Sequence, residues 1–157
     1  MKTETVKLSL RNYSPELAPY FEKLNKAWIE KYFTVEPLDE YVLTNPEEAI
    51  LKGGGKILFA EYEGKIIGTV ALIKEEDDVY ELAKMGVDEN HQGLGAGKFL
   101  CKSAIELARD LGAKKLILYT QSSLLPAISL YRKLGFLEVP LTKGLYKRAD
   151  LKMELVL

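Results

Sequence analysis

The sequence predicts a mixed α/β fold, with a central, mostly antiparallel twisted sheet, one parallel β-α-β crossover and helices on both faces. Three observations carry this. Two short apolar segments, Ile57–Tyr62 and Ile66–Ile73, are joined by Glu63-Gly64, which reads as a tight hairpin turn. A strand over Val79–Val87 leads through a glycine-rich turn into an amphipathic helix, and a continuous apolar run, Leu116–Tyr119, follows as an interior strand. Such a strand–helix–strand unit needs a parallel crossover. The 157 residues fit one domain, residues 1–157, large enough to bury about two-thirds of its unfolded surface.

Taken in order, Val6, Leu8 and Leu10 alternate as a strand facing a core on one side. Ser14-Pro15 opens a helix, Ser14 as N-cap and Pro15 in the first turn, running through Leu17, Phe21, Leu24 and Trp28. Asn45-Pro46-Glu47-Glu48 repeats that signal for a shorter helix, which Gly53-Gly54-Gly55 ends before a strand. Past the hairpin, the acidic run Glu75-Glu76-Asp77-Asp78 reads as a solvated turn without chemistry. The helix after the glycines carries Leu100, Ala104, Leu107, Ala108 and Leu111 on one stripe and stops at Gly112. Pro126–Leu134 is a short helix ending at Gly135, and strands near Phe136–Val139 and Asp150–Val156 close the order β-α-α-β-β-β-α-β-α-β-β, with neither repeat nor linker.

Composition excludes several functions. Lys and Arg number 22 against 23 Asp and Glu, a net charge of −1, which argues against a general nucleic-acid or membrane-surface binder. The N-terminus Met1-Lys2-Thr3-Glu4-Thr5 is polar, and no apolar run approaches the roughly 18 residues of a membrane span. Neither signal peptide nor anchor is expected, and the expected location is cytoplasmic. A lone cysteine forms no internal disulfide, and with a single histidine it cannot build a usual zinc site, so no metal is expected. Cys101 stands at helical spacing from Ile105 and reads as a small core residue.

The segment Gln92-Gly93-Leu94-Gly95-Ala96-Gly97-Lys98 carries most of the functional information. Glycines at alternate positions let a ligand approach the backbone, and the following helix directs unpaired N–H groups and its positive dipole end at that place. This is an anion site, most plausibly for phosphate. It is not a Walker A loop, since Gln92 and Phe99 stand where Gly and Ser/Thr are needed. Nor is it a dinucleotide fingerprint, which would land on Lys98 or Leu100. What fits is Gln/Arg-x-x-Gly-x-Gly/Ala, carried by Gln92, Gly95 and Gly97.

Together with the preceding strand Tyr80-Glu81-Leu82-Ala83-Lys84-Met85-Gly86-Val87 and the later Leu130-Tyr131-Arg132-Lys133-Leu134-Gly135-Phe136, this motif resembles the GNAT superfamily of acetyl-CoA-dependent N-acetyltransferases. The resemblance implies that the strand ending at Val87 and the one starting at Lys115 splay apart to admit the pantetheine arm of acetyl-CoA. It implies a pyrophosphate held by Gln92, Gly93, Leu94, Gly95, Ala96 and Gly97, with charge from Lys98, and pantetheine amides paired with the strand through Met85, Gly86 and Val87. Many members carry an asparagine after the next strand. Here Gln121 or Ser122 stands near that place, and Gln121 is the candidate for its contact.

Acetylating an amine needs a free lone pair, a stabilised oxyanion and a protonated leaving thiol. Alkyl amines, near pKa 10, are protonated at neutral pH, so a carboxylate base is expected. Glu81, in a Glu-x-x-x-x-x-Val strand like that of the histone-acetylating branch, is the candidate; alternation puts Glu81, Ala83 and Met85 on one face. The alternative is a Glu81 solvated or paired with Lys84. The oxyanion would meet the Met85 backbone N–H, and Tyr131 matches the superfamily's general acid, doubling as a cofactor contact.

The acceptor is expected at the first two helices and the loop Trp28–Glu40 between them, where aromatics beside Glu36, Asp39 and Glu40 would suit a cationic amine. Whether it is a small molecule or a peptide amine stays open. The function read here is acetyl transfer from acetyl-CoA to a primary amine by direct attack in a ternary complex. The alternatives are a non-catalytic CoA-binding regulatory module and an acyltransferase using another acyl-CoA or an O-acceptor. A homodimer is common in the superfamily and is possible.

Overall fold

A computed structural model describes residues 7–141 and 147–157. Its frame is a seven-stranded sheet in the order β1-β2-β3-β4-β5-β7-β6. β1 (Ser9–Asn12), β2 (Lys56–Tyr62), β3 (Lys65–Glu76) and β4 (Val79–Val87) form an antiparallel meander. β5 (Lys115–Thr120) lies parallel to β4, and β7 (Leu151–Val156) runs antiparallel between β5 and β6 (Leu137–Val139). The predicted mixed sheet with one parallel pair is the one that forms.

Alternation along the strands feeds two cores. Leu58, Ala60, Val70, Leu72 and Leu82 pack with Leu100, Cys101, Ala104 and Ala108 of α3 (Ala96–Asp110), joined by Leu130 and Tyr131 of α4 (Leu125–Lys133). On the other face Ile57, Phe59 and Ala71 meet Phe21 and Ile29 of α1 (Ala18–Tyr32) and Val42 and Leu43 of α2 (Pro37–Thr44). The β2–β3 turn is the predicted one: Glu63 and Gly64 both take positive φ, 50° and 78°, as a two-residue turn matched to strand twist requires.

Several elements depart from the sequence reading. β1 is an edge strand with all four residues exposed, Leu10 at 44%; of the alternating residues Leu8, just before it, packs on the core and Leu10 does not, and Val6 lies outside the described residues. Ser14 precedes a 3-10 turn over Pro15–Leu17 and makes no side-chain cap bond, and the α-helix starts only at Ala18. The stretch read as loop contains α2, which begins with a capping box: Glu36 and Asp39 each bond the other's backbone, with Pro37 in the first turn. The helix expected after Asn45-Pro46 is a single π turn, Glu47–Leu51. β3 runs on through Glu76, so Glu75 and Glu76 belong to the strand and only Asp77 and Asp78 make the turn.

One glycine fixes how close α1 comes to the sheet. A Cβ on Gly86 would lie 2.8 Å from the Leu24 carbonyl oxygen and 3.3 Å from the Asn25 nitrogen, both backbone atoms that a rotamer change cannot move. Gly86→Ala should therefore destabilise the protein by about 1–3 kcal/mol, the usual cost of overpacking. Urea unfolding at neutral pH checks this, and an unchanged midpoint would contradict it.

Candidate active site

β4 and β5 pair over only three positions, Val79, Tyr80 and Glu81 against Lys115, Leu116 and Ile117. Past Glu81 the strands diverge, and a cavity of about 160 Å³ opens, lined by residues 81–85 of β4, Tyr119 and Thr120 of β5, the C-terminal part of α1, and α4. This is the gap the sequence resemblance implied. Its wall is shaped by a β-bulge. Ala71 pairs with Ala83 and Thr69 with Gly86, so Lys84 and Met85 together oppose Val70. Lys84 sits at φ 52°, a left-handed conformation that costs a side-chain-bearing residue about 1–2 kcal/mol.

The extra residue reverses the alternation beyond Ala83. Glu81, Ala83 and Met85 do not share a face: Met85 packs into the α3 core, its Sδ 3.5 Å from Cys101 Sγ, although it still reaches the cavity edge. Cys101 is fully buried, and desolvation pushes its thiol up to about 12, as befits a core residue.

What holds the bulge is Asp39, with no exposed surface at all. Lys84 Nζ donates to Asp39 Oδ1 at 2.8 Å, Arg148 donates to Oδ2 and Oδ1 at 2.8 and 2.7 Å, and the Glu36 backbone N–H donates at 2.9 Å. Arg148 also reaches Glu36 Oε2 at 3.0 Å. Burial alone would raise the Asp39 pKa, but the donors from Arg148, Lys84 and Glu36 overcome it and hold the carboxyl at about 2. Lys84 is lowered by the same burial, against the pull of Asp39. Glu36 and Asp39 are thus committed to cations of the chain itself, and Glu40 pairs with Lys26 at 2.8 Å. The expectation that these acids receive an amine is not met, because the buried Lys84 and the half-buried Arg148 claim two of them. Trp28, Ile29 and Phe33 of the same region do line the cavity.

Glu81 is 9% exposed and belongs to the cavity wall. Burial raises its pKa first, and a hydrogen bond with the Glu75 carboxyl raises it further, to about 8, with a smaller opposing pull from Lys84. The acidic run reads as a solvated turn without chemistry, yet its Glu75, on β3, contributes to the raised pKa of Glu81. Tyr131, on α4, faces the same cavity and stacks edge-on against Phe136 at 5.9 Å. Burial drives its phenol above the usual range, so it stays protonated.

The glycine-rich turn leads into α3. Gly93 and Gly95 take φ 85° and 78°, Gly95 serving as N-cap. Gly97 has no such need, and a Cβ there would meet nothing nearer than 4.0 Å. It is the second residue of α3, where glycine is a weaker helix former than alanine. Packing within the chain does not require it, which fits a phosphate group lying against the helix N-terminus. Gln92 turns back toward the Val87 carbonyl, Nε2 to O 3.4 Å, while Leu94 is half-buried against the α3 core and Lys98 is exposed. Ala96 is buried, Val87 half-buried, and Gly86 is occupied by α1 as described.

Gln121 borders the cavity, but its Oε1 accepts from the Ser123 backbone at 2.7 Å and from the Ser123 hydroxyl. Ser122 is tied through its N–H and hydroxyl to Asp150, both at 2.7 Å. The loop after β5 is therefore ordered by Ser123 and Asp150. Sequence reasoning missed Glu75, Arg148 and Asp150; each meets its partner on another element, Glu75 on the neighbouring strand, Arg148 on α2 and Asp150 at the loop after β5. Among the described residues no three metal-ligating side chains cluster, and no helix is long and apolar enough to cross a membrane.

With this geometry in hand, comparison with known proteins settles the class. The acetyltransferase (GNAT) family profile matches residues 18–136, and the chain belongs to that family. Human N-acetyltransferase 8B is 35% identical over 82 residues, 49% of this chain and 36% of that protein. The chain thus aligns with little more than a third of that relative's length. An acetyltransferase of the GNAT family from Staphylococcus aureus Mu50 superposes with a TM-score of 0.83 at 20% identity, covering 94% of this chain and 98% of the other. An acetyltransferase from Salmonella typhimurium, solved with its cofactor acetyl-CoA, superposes at 0.76 and 20% identity, covering 95% and 93%.

Because the Asp39 carboxyl lies below its ordinary value, the stability its ion pairs contribute is present above pH ~4 and is lost as pH falls toward 2, on the order of 2 kcal/mol. Asp39→Asn should remove that acid-side loss and destabilise the protein at pH 7, since the buried Lys84 and the half-buried Arg148 lose the carboxylate charge of Asp39. Denaturant unfolding at pH 7 and pH 3 measures both effects.

Proposed function

We propose that this protein is an acetyl-CoA-dependent N-acetyltransferase that moves an acetyl group to a primary amine by direct attack within a ternary complex. The observation that carries the reading is the cavity between the diverging β4 and β5, which brings a buried carboxyl, Glu81, and a protonated phenol, Tyr131, to one space beside the glycine-opened start of α3. The activity named for N-acetyltransferase 8B supports it.

Bound acetyl-CoA supplies the activated acetyl thioester. The glycine turn from Gln92 to Gly97 and the α3 N-terminus hold its pyrophosphate, and the free edge of β4 holds the pantetheine arm through Met85 and Val87. Gly86 acts there through its backbone only. Glu81, raised toward the operating pH, takes a proton from the acceptor ammonium, the task for which a base near neutrality is best matched. The bulge interrupts the ladder at Lys84 and Met85, and this supports giving the developing oxyanion to the Met85 backbone N–H, a contact of roughly 3 kcal/mol. Tyr131 hands its proton to the departing sulfur. Trp28, Ile29 and Phe33 favour an acceptor whose amine is carried on a partly apolar body. A small-molecule or peptide amine meets that description.

Release of free thiol from acetyl-CoA across a panel of primary amines tests the proposal. Turnover with at least one amine is expected; tight CoA binding with no turnover on any would favour a binding module. Tyr131→Phe should lower kcat about 100-fold or more, the usual contribution of a general acid, with CoA affinity by calorimetry within a few-fold of the parent. Loss of CoA binding with turnover per bound enzyme intact would contradict the assignment. Gly97→Ala should weaken CoA binding while stability holds or rises by up to about 1 kcal/mol.

A further inference from the structure

Among the described residues, the charged side chains on the cavity wall are Glu81, Lys84 and Arg148. Both cations are already bound to carboxylates: Lys84 Nζ lies 2.8 Å from Asp39, and Arg148 lies 2.7 Å from Asp39 and 3.0 Å from Glu36. Neither of those carboxylates lines the cavity, and Asp39 has no exposed surface at all. Two positive and two negative charges thus balance within the chain, and Glu81 is the one acid left on the described wall.

The remaining character of the wall is aromatic. Trp28 and Phe33 line it, and with Tyr32 they form a three-ring cluster at the C-terminal end of α1. The Trp28 ring lies 5.5 Å from that of Tyr32 and 5.9 Å from that of Phe33, tilted by 51° and 49°. Tyr32 is the outer member, 50% exposed, with Lys31 Nζ 5.4 Å from its ring. Trp28 and Phe33 are half-buried against the α1 core. Aromatic rings favour tilted or edge-on neighbours with centroids about 4.5–7 Å apart, and such pairs gain more than the area they bury. A further ring entering the cavity meets two partners of that kind, whereas an alkyl chain gains burial only.

We propose that the acceptor is an arylalkyl monoamine: an aromatic body, one ammonium and no second charge. The inference rests on the reading that this cavity receives an amine for acetylation. The ring lies against Trp28 and Phe33, and the ammonium faces Glu81. A second ammonium, as in a polyamine, would meet Lys84 and Arg148 with no acid on the described wall to receive it, and burying an unmatched charge is costly. A carboxylate, as in an α-amino acid, would have to compete with the buried Asp39 for the same cations. On transfer the nitrogen bonds to the acetyl carbon as the carbon–sulfur bond breaks. One ammonium proton passes to Glu81; Tyr131 protonates the sulfur and is itself restored by the other. The product is a neutral amide, so acetylation removes the only charge the acceptor carries.

Trp28 is the single tryptophan of the chain, so its fluorescence reports on the ring site without any turnover. In the CoA-bound protein phenethylamine should change that fluorescence saturably, and spermidine at the same concentration should not. Phe33→Leu should raise the phenethylamine concentration required at least tenfold, with the thermal midpoint verifying its fold. In thiol release from acetyl-CoA, kcat/KM for phenethylamine should exceed that for propylamine, spermidine and L-phenylalanine at least tenfold. Trp28→Leu and Phe33→Leu should each cut the phenethylamine-to-propylamine ratio several-fold, a discrimination that a general loss of structure would not move. An unresponsive Trp28, equal or better turnover of spermidine or L-phenylalanine, or a ratio indifferent to both folded variants would overturn the acceptor class. Thiol release with another amine would then still uphold acetyl transfer. A saturable fluorescence change with no thiol release from any amine would keep the aryl site and sink the transfer reading.

Discussion

The geometry of this protein depends on where β4 stops pairing with β5. Three residues of parallel ladder hold the two strands together, and a bulge at Lys84 then turns β4 away. Everything placed in the cavity follows from that divergence: Glu81 is the last paired residue, Tyr119 and Gln121 lie where β5 has separated, and α4 brings Tyr131 across the opening. A left-handed lysine does not hold itself. Its conformation costs about 1–2 kcal/mol, and the buried Asp39 carboxylate captures its ammonium at 2.8 Å and offsets that cost. Asp39 thereby links α2, the bulge and the segment carrying Arg148, so that both walls of the cavity are tied to one carboxylate.

Two buried acids stand within this region, and their surroundings drive them in opposite directions. Desolvation raises both. At Asp39 the cations Arg148 and Lys84 reverse the effect and leave a permanent anion; at Glu81 another carboxyl, Glu75, adds to it and favours the protonated acid. The first acid keeps its charge and the second is pushed toward its neutral form, although both are carboxylates within reach of the same lysine. A similar division separates the glycines. Gly86 is demanded by the backbone of α1, while Gly97 is demanded by nothing in the chain and leaves space at the helix N-terminus.

Most of the sheet was legible because its signals are local. The Glu63-Gly64 hairpin needs two positive φ values, the α3 stripe follows helical spacing, and Gly112 ends that helix with φ 83°. The glycine turn and the Leu-Tyr-Arg-Lys-Leu-Gly-Phe segment are likewise motifs of contiguous residues. The errors fell where a local rule met a tertiary one. Strict alternation placed Met85 beside Glu81, and a bulge that leaves no mark in residue type moved it to the other core. The loop acids Glu36 and Asp39 looked available for an amine because their partners, Lys84 and Arg148, lie 45 and 109 residues from Asp39.

By itself the sequence determined the strands of the sheet, the parallel crossover, the glycine-rich turn into α3 and the identities of a candidate acid and base. These properties arise from backbone preference, side-chain periodicity and the reach of adjacent residues, all of which act over a few positions. Only the tertiary structure decided which charges neutralise one another, that the acidic run sends Glu75 to Glu81, and that β4 turns away from β5 after Glu81. Those outcomes depend on burial and on how strands and helices come together, where desolvation strengthens each charge interaction and geometry alone selects its partner.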